Sequence, residues 1–180
     1  MPEYYFDIET TGLDPSKDRI ITFQFQELSQ VSGIPLTKLV IAKEWDDDCS
    51  EGAILEWVKE LLIDSPSWKF VPVGNNLLFD LSFIAARMRT YFDTDFLMQL
   101  INRPFIDIKH ILVMINGGHF RDYSKMLAKT DLGSHVPIWY QKKQYEKILD
   151  YVEMEAEAFV RTYGILKRNL PSLAGLILQP

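Results

Sequence analysis

The order of its secondary-structure patterns constrains the fold of this 180-residue chain more than any other feature. Strand patterns come first, at residues 1–8, 20–28 and 37–45, with a hairpin tip between the second and the third. An amphipathic helix pattern follows at residues 52–63, and strands then alternate with helices. Three strands in a row followed by this alternation predict a mixed sheet with helices packed against it, which is an α/β layer fold.

Capping and breaker residues set the limits of the later elements. Ser50 is the predicted N-cap of the helix at residues 52–63, because a serine there accepts a hydrogen bond from the first turn. A short buried strand is predicted at residues 68–74, and residues 105–115 bridge into a helix. Further helices are predicted over residues 79–92, 121–130 and 144–168, whereas residues 94–105 and the apolar tail 169–180 receive no assignment.

The first strand, in the stretch "YYFDIETTGLDP", carries two carboxylates among apolar residues. Alternate side chains of a strand share a face, so Asp7 and Glu9 point one way while Phe6 and Ile8 point the other. Two ionised carboxylates this close repel, and burying them unpaired is costly. Either a cation lies between them or this strand face is open to solvent, and the strand alone leaves both alternatives open.

Two more stretches place polar residues at element ends or on helix faces. In "VGNNLLFDLSFI", residues 73–84, Asp80 lies near a helix N-terminus, where the helix dipole stabilises any acid. In residues 140–163, Tyr151 and Glu155 are four apart on a helix and therefore share a face. An ordinary first-turn acid and a core tyrosine also explain these stretches when each is taken alone.

Composition excludes several classes of protein. The single cysteine, Cys49, forms no intrachain disulfide and no zinc–cysteine cluster, which is compatible with a cytoplasmic protein. No apolar run is long enough to span a bilayer, and no signal-peptide pattern is visible at the N-terminus. The formal charge of −6 argues against a generic nucleic-acid binder, although a site built from carboxylates contributes to that sign.

Together and in this order, the stretches "FDIETTGL", "NNLLFDLSFI" and "YVEMEAEAFVRTY" resemble the three motifs of the DEDD superfamily of 3′–5′ exonucleases. The tyrosine in the last motif resembles that of the DEDDy branch, which includes the proofreading domains of family B DNA polymerases. The DEDDh branch would place a histidine at position 150, where this chain has Asp150, so the sequence does not fit that branch. "PFIDIKHIL" is also similar to a segment of those proofreading domains. The resemblance covers residues 4–163 within a single exonuclease domain at residues 1–180.

The resemblance implies an RNase H-like fold, with a mixed five-stranded sheet flanked by helices. It also implies four carboxylates that hold two divalent ions, Mg²⁺ or Mn²⁺, which are hard cations and take oxygen ligands. The implied ligands are Asp7, Glu9, Asp80 and Glu155. A cation that bridges Asp7 and Glu9 would offset their repulsion, and Tyr151 would orient the attacking water.

The resemblance further implies which residues touch the substrate. Thr10 and Leu13 would lie beside the terminal nucleotide, and Asn76 and Phe79 would support the site or contact the substrate. One position departs from the family, because Glu155 stands where the third motif carries aspartate. Its extra methylene leaves it a competent ligand for a hard metal, and a more folded rotamer absorbs the added length at a cost of about 1 kcal/mol.

The implied function is a metal-dependent exonuclease that removes nucleoside monophosphates from the 3′ ends of single-stranded DNA. The chain is too short to include a polymerase, so a polymerase or another replication or repair protein would act in trans. An RNA 3′-end exoribonuclease is an alternative, since telling RNA from DNA needs a contact to the 2′-OH. A third alternative is a nuclease-like binding module that has lost catalysis. Glu155 in place of the family's aspartate would be the first sign of that loss.

Overall fold

Five strands form one mixed sheet in the computed structural model, which describes residues 1–66, 69–119 and 131–177. The strands are β1 (Glu3–Thr10), β2 (Ile20–Leu28), β3 (Val40–Lys43), β4 (Val71–Gly74) and β5 (Ile106–Asp107). Their order is β3-β2-β1-β4-β5. The pairs β1–β2 and β2–β3 are antiparallel, whereas β1–β4 and β4–β5 are parallel. The predicted mixed five-stranded sheet is therefore confirmed.

Helices cover both faces of this sheet. They are α1 (Glu51–Lys59), α2 (Leu77–Phe92), α3 (Leu97–Ile101), α4 (Ile108–Ile115), α5 (Val136–Gln141) and α6 (Tyr145–Ile177). The Ser50 hydroxyl accepts a hydrogen bond from the Ala53 N–H at 3.2 Å, which confirms the predicted N-cap of α1. A π-helical turn extends α1 over Glu60–Asp64, and a 3₁₀ turn at Asp131–His135 precedes α5.

β3, β4 and α6 differ in length from their sequence patterns, and β4 begins only at Val71. β3 is shorter than predicted because it is an edge strand and pairs with β2 only from Val40 to Lys43. α6 is longer than predicted and continues past Pro171 to Ile177. Leu166 and Leu170, which precede this proline, pack in the cluster that contains Tyr5 and Val73. The unassigned stretch before β5 contains α3, and the helix predicted at residues 121–130 lies outside the described residues.

The alternation along β1 divides the core into two layers. Phe6 and Ile8 pack into the larger cluster with α1 and α2. Tyr5 faces the opposite side and packs with Val73 of β4 and with α4 and α6. Both faces of the sheet are thus covered, which is the arrangement expected for parallel strands at the centre of an α/β fold. Among the described residues, no helix combines the length and the apolar character needed to cross a membrane.

Glu51, the first residue of α1, is a buried charge that fixes the loop between β1 and β2. Its carboxylate accepts hydrogen bonds from the Ile20 N–H at 2.9 Å and from the Tyr91 hydroxyl at 3.0 Å. The Arg87 guanidinium donates two more, at 2.8 and 2.7 Å, and also reaches the Pro15 carbonyl oxygen at 3.1 Å. The loop that leaves β1 is therefore tied to α1 and α2.

Replacing Glu51 with alanine is expected to destabilise the protein by about 3 kcal/mol, because Arg87 is only 14% exposed and would lose its carboxylate partner. The measurement is the free energy of unfolding in urea. Glu56, which is exposed on the same helix, provides the matched control. Glu56→Ala should change the free energy by no more than about 0.5 kcal/mol. Equally small losses for the two variants would contradict the prediction.

Candidate active site

A cleft of about 580 Å³ lies where the parallel strands β1 and β4 end. Crevices at the carboxyl ends of parallel strands are the usual ligand sites of α/β folds. The cleft is lined by every residue that the sequence singles out for catalysis, metal binding or substrate contact. These are Asp7, Glu9, Thr10, Leu13, Asn76, Phe79, Asp80, Tyr151 and Glu155.

Three carboxylates meet in this cleft. One oxygen each from Asp7, Glu9 and Glu155 lie within 4.8 Å of one another. β1 supplies the first two and α6 supplies Glu155, which is 8% exposed. Asp80, in the first turn of α2 and 4% exposed, lines the same cleft without belonging to this group of three. The fold thus brings acids from three distant segments of the chain to one cavity.

The face of β1 that carries Asp7 and Glu9 is covered by protein. Tyr5, on the same face, packs against Phe159 of α6 with ring centroids 4.8 Å apart, and both acids are half-buried. This strand face is therefore partly covered, and the two acids border the cleft. Partial burial of several carboxylates at short range disfavours their charged forms unless a positive group is present.

Tyr151 combines a packed ring with a hydroxyl at the cleft. It is 7% exposed, belongs to an apolar cluster with Val152, and precedes Glu155 by one helical turn. Gly133 gives its hydroxyl room, since a Cβ at that position would lie 2.8 Å from the Tyr151 oxygen. Burial, followed by the negative charges of Glu9 and Asp7, raises the pKa of Tyr151 well above its ordinary value of 10. The phenol therefore keeps its proton.

The loop after β1 presents Leu13 to the mouth of the cleft. Leu13 is 81% exposed. The Thr10 hydroxyl donates to the Gly12 carbonyl oxygen at 2.6 Å and shapes the start of this loop. Asp18 holds the loop from the far side by accepting from the Asp14 N–H at 2.9 Å. Leu13 is thus an apolar side chain on a loop that these hydrogen bonds hold in place.

The turn between β4 and α2 also lines the cleft. Asn76 occupies the left-handed region with φ of 67°, a conformation that asparagine tolerates better than most residues. Its N–H donates to the Asp107 carboxylate at 2.8 Å. Phe79 packs one side of its ring against Phe83, with centroids 5.8 Å apart, and leaves the rest at the cleft.

Sequence reasoning missed Tyr5, whose hydroxyl donates to the Asp7 carboxylate at 3.1 Å. Tyr5 is 2% exposed, and burial together with Asp7 raises the pKa of its phenol, so it is a steady donor to that acid. The signal was available, since the alternation that pairs Asp7 with Glu9 places residue 5 on the same face. Gly133 and Ser134 also line the cleft and have no such signal, because the turn before α5 carries no recognisable motif.

The donor set of the cleft fits a hard divalent cation. Carboxylate oxygens are the ligands that Mg²⁺ and Mn²⁺ prefer in proteins, and three of them lie in one group. Asp80 on the adjacent wall adds a fourth carboxylate to the same cavity. The buried position of Asp80 and Glu155 restricts their motion, which favours a site of fixed geometry.

Comparison with protein families gives a match to a model of the RNase_H superfamily over residues 4–161. A search of curated proteins found no match. Three solved structures of exonuclease I overlay on nearly the whole chain. The first is a structure of exonuclease I described as suggesting how this enzyme achieves processivity. It has a TM-score of 0.59 at 13% sequence identity, and the match covers 96% of this chain and 42% of the exonuclease I chain.

Two further exonuclease I structures agree with this overlay. The product-bound form has a TM-score of 0.57 at 13% identity, covering 96% of this chain and 44% of the other. The Escherichia coli enzyme in complex with a dT13 oligonucleotide has a TM-score of 0.56 at 13% identity, covering 97% and 43%. The chain therefore spans less than half the length of these exonuclease I chains, and the likeness between them is one of fold.

Proposed function

The chain belongs to the RNase_H superfamily, and from this premise we propose that it is a metal-dependent 3′–5′ exonuclease of the DEDD type. One observation carries the proposal: Asp7, Glu9 and Glu155 meet within 4.8 Å in a cleft that Asp80 and Tyr151 also line. These five residues are the four acids and the tyrosine of the motifs that the sequence resembles. Residues 1–180 are proposed to act as one nuclease domain.

The reaction is the hydrolysis of the terminal phosphodiester. A water oxygen attacks phosphorus, the bond to the 3′ oxygen of the preceding nucleotide breaks, and a nucleoside monophosphate leaves. Divalent ions, when bound, supply the Lewis acidity that activates the water and stabilises the leaving oxygen. The four carboxylates would hold these ions, and Tyr5 keeps the Asp7 carboxylate oriented through its hydrogen bond.

Tyr151 orients the attacking water through its hydroxyl, and its position supports the DEDDy branch. Its raised pKa means that the phenol stays protonated at neutral pH and is no base for the water. Leu13 and Phe79 supply apolar surfaces in the lining of the cleft, against which a terminal base or sugar can pack. Thr10 lines the same cleft and is proposed to lie beside the terminal nucleotide, and Asn76 is proposed to contact the substrate.

Tyr151→Phe is expected to lower the rate of hydrolysis by about tenfold to a hundredfold, which is less than the loss of a metal ligand, because only an orienting hydrogen bond is removed. Since an ordinary phenol already titrates near pH 10, wild type and variant should show pH–rate profiles of the same shape between pH 6 and 9. The measurement is the single-turnover rate across this range. A loss as deep as that of Asp7→Ala, or a change in the shape of the profile, would give the hydroxyl a larger role.

Tyr145→Phe provides the matched control for this prediction. Tyr145 begins the same helix but stacks on Trp45, with ring centroids 4.6 Å apart, and does not line the cleft. Removing its hydroxyl should leave the rate within about twofold of wild type.

Single-stranded DNA is the proposed substrate. Support comes from Escherichia coli exonuclease I, which has the same fold and binds a dT13 oligonucleotide. An RNA substrate stays an alternative, because the same four-acid arrangement serves both and the distinction needs a contact to the 2′-OH. A polymerase or a repair protein as partner in trans, and a cytoplasmic location, remain predictions from the sequence.

The proposal is tested by digestion of matched single-stranded DNA and RNA oligonucleotides carrying a 5′ label. With Mg²⁺ or Mn²⁺, a ladder that shortens one nucleotide at a time from the 3′ end is expected, with release of mononucleotides. EDTA should abolish the ladder. Faster digestion of RNA would select the exoribonuclease alternative. Tight binding of oligonucleotide without any cleavage in either metal would select the binding module and overturn the proposed activity.

A further inference from the structure

Lys109, in the first turns of α4, reaches the wall of the cleft through Asn76. Its ammonium lies 2.6 Å from the Asn76 side-chain oxygen. A lysine ammonium only donates hydrogen bonds, so the atom it meets is the amide oxygen, and this fixes the orientation of the amide. The NH₂ group of Asn76 is consequently the end that remains for other contacts at the cleft.

Asp107 holds both residues of this pair by their backbones. One carboxylate oxygen accepts from the Asn76 N–H at 2.8 Å and from the Lys109 N–H at 3.0 Å. Asp107 is 9% exposed and caps α4, so it is itself a fixed point. The Asn76 side chain does not cap α2, although asparagine commonly caps the helix that follows it. Its oxygen is engaged by Lys109 instead.

The charge of this pair differs from that of the rest of the cleft. Among the residues that the structure describes, no carboxylate lies within 4.0 Å of the Lys109 ammonium, whereas the cleft itself carries four acids. An amide NH₂ polarised by a neighbouring ammonium is a strong donor to an anionic oxygen. A substrate phosphate is the anion that must enter a nuclease cleft.

We propose that Lys109 is a positioning residue that turns the Asn76 amide donor toward the substrate, and that the pair binds a backbone phosphate upstream of the scissile one. This inference rests on the proposed function, which assigns the scissile phosphate to the cluster of acids. The pair contributes to the affinity for the nucleic acid backbone and acts uniformly on all sequences, because phosphates carry no base identity.

The first test is the kinetics of Lys109→Met on single-stranded oligonucleotides. KM is expected to rise about tenfold, as for the loss of a charge-assisted hydrogen bond, while kcat falls less than threefold. The dependence of log KM on log salt concentration should become shallower by about 0.7, the value for one phosphate contact on a single strand. Lys109→Arg keeps a charged donor and should restore KM to within about threefold of wild type.

Controls separate this role from folding and from bulk charge. Lys59→Met removes the same charge from α1, where Lys59 pairs with Asp64 at 2.9 Å outside the cleft, and should leave KM unchanged. Asn76→Asp keeps the shape and can still pair with Lys109, but it removes the donor and adds a negative charge. It should therefore raise KM more than Lys109→Met does. Thermal unfolding of each variant confirms that the folded protein is being assayed.

The decisive test uses oligonucleotides with one neutral methylphosphonate at the first or the second linkage upstream of the scissile bond. At one of these linkages, the substitution and Lys109→Met should together raise KM no more than either does alone. Effects that multiply at both linkages, or a KM of Lys109→Met within twofold of wild type, would overturn the inference and leave the proposed function standing. If wild type digests no oligonucleotide with either metal, the proposed function fails and this inference falls with it.

Discussion

Hydrolysis is expected to fall at least a thousandfold, on the order of 4 kcal/mol of transition-state stabilisation, when Asp7 is replaced with alanine or asparagine. Asp7 lies at the centre of the site, since it contacts Tyr5 and its carboxylate shares the 4.8 Å group with Glu9 and Glu155. Asparagine keeps the volume and an oxygen that accepts from Tyr5, so this variant removes little besides the charge. The measurement is the single-turnover rate with saturating Mn²⁺.

A matched control separates the loss of this carboxylate from a general loss of negative charge. Asp150→Asn removes an equal charge from the exposed face of α6 and should change neither rate nor stability appreciably. An Asp7→Asn protein that cleaves at the wild-type rate would place the activity at another site or in a contaminant.

Replacing Glu155 with alanine is expected to weaken divalent metal binding by about a hundredfold or more, because it removes one of the three carboxylates that meet in the cleft. Its side chain is one methylene longer than the aspartate of the motif, and it still places an oxygen within 4.8 Å of Asp7 and Glu9. Glu155→Asp should retain substantial activity or shift the preference between Mg²⁺ and Mn²⁺. The measurement is calorimetric titration of both metals into wild type, Glu155→Ala and Glu155→Asp.

Two outcomes of this titration are informative beyond the affinity. Glu153→Ala, which removes an exposed acid two residues away on α6, should leave the titration unchanged and excludes a bulk charge effect. If Glu155→Ala binds as many ions as wild type and binds them as tightly, the metal site does not need this residue. The chain would then be better explained as a nuclease-like module in which this ligand has drifted out of use.

Local patterns predicted most of the fold, because each element is specified by nearby residues. The alternation over residues 20–28 fixed β2, and Ser50 fixed the start of α1. Edges and ends were predicted less well, since they depend on tertiary contacts. The length of β3 depends on its single neighbour β2. α6 continues past Pro171, although a proline inside a helical pattern usually ends or kinks the helix.

The candidate site divides in the same way. Residues inside recognisable motifs, such as Asp80 and Glu155, could be assigned to one site from the amino-acid sequence alone, because the order of the motifs along the chain carries that information. Lys109 and Gly133 could not. Lys109 acts through Asn76 across 33 positions of sequence, and Gly133 matters only because the Tyr151 hydroxyl lies against it. Such contacts follow from the arrangement of the elements in space.

The contact between β1 and α6 has a consequence for when the folding chain becomes active. Tyr163 and Glu3 form a buried hydrogen bond although they are 160 positions apart, and three of the four acids of the cleft come from the same two elements. Contacts of such sequence separation form late in folding, because the entropy of closing a long loop is lost before they stabilise the chain. During synthesis, Asp7 and Glu9 of β1 are made long before Glu155 of α6. Only a fully assembled protein has the complete set of ligands, so partly folded chains are expected to be inert toward nucleic acid.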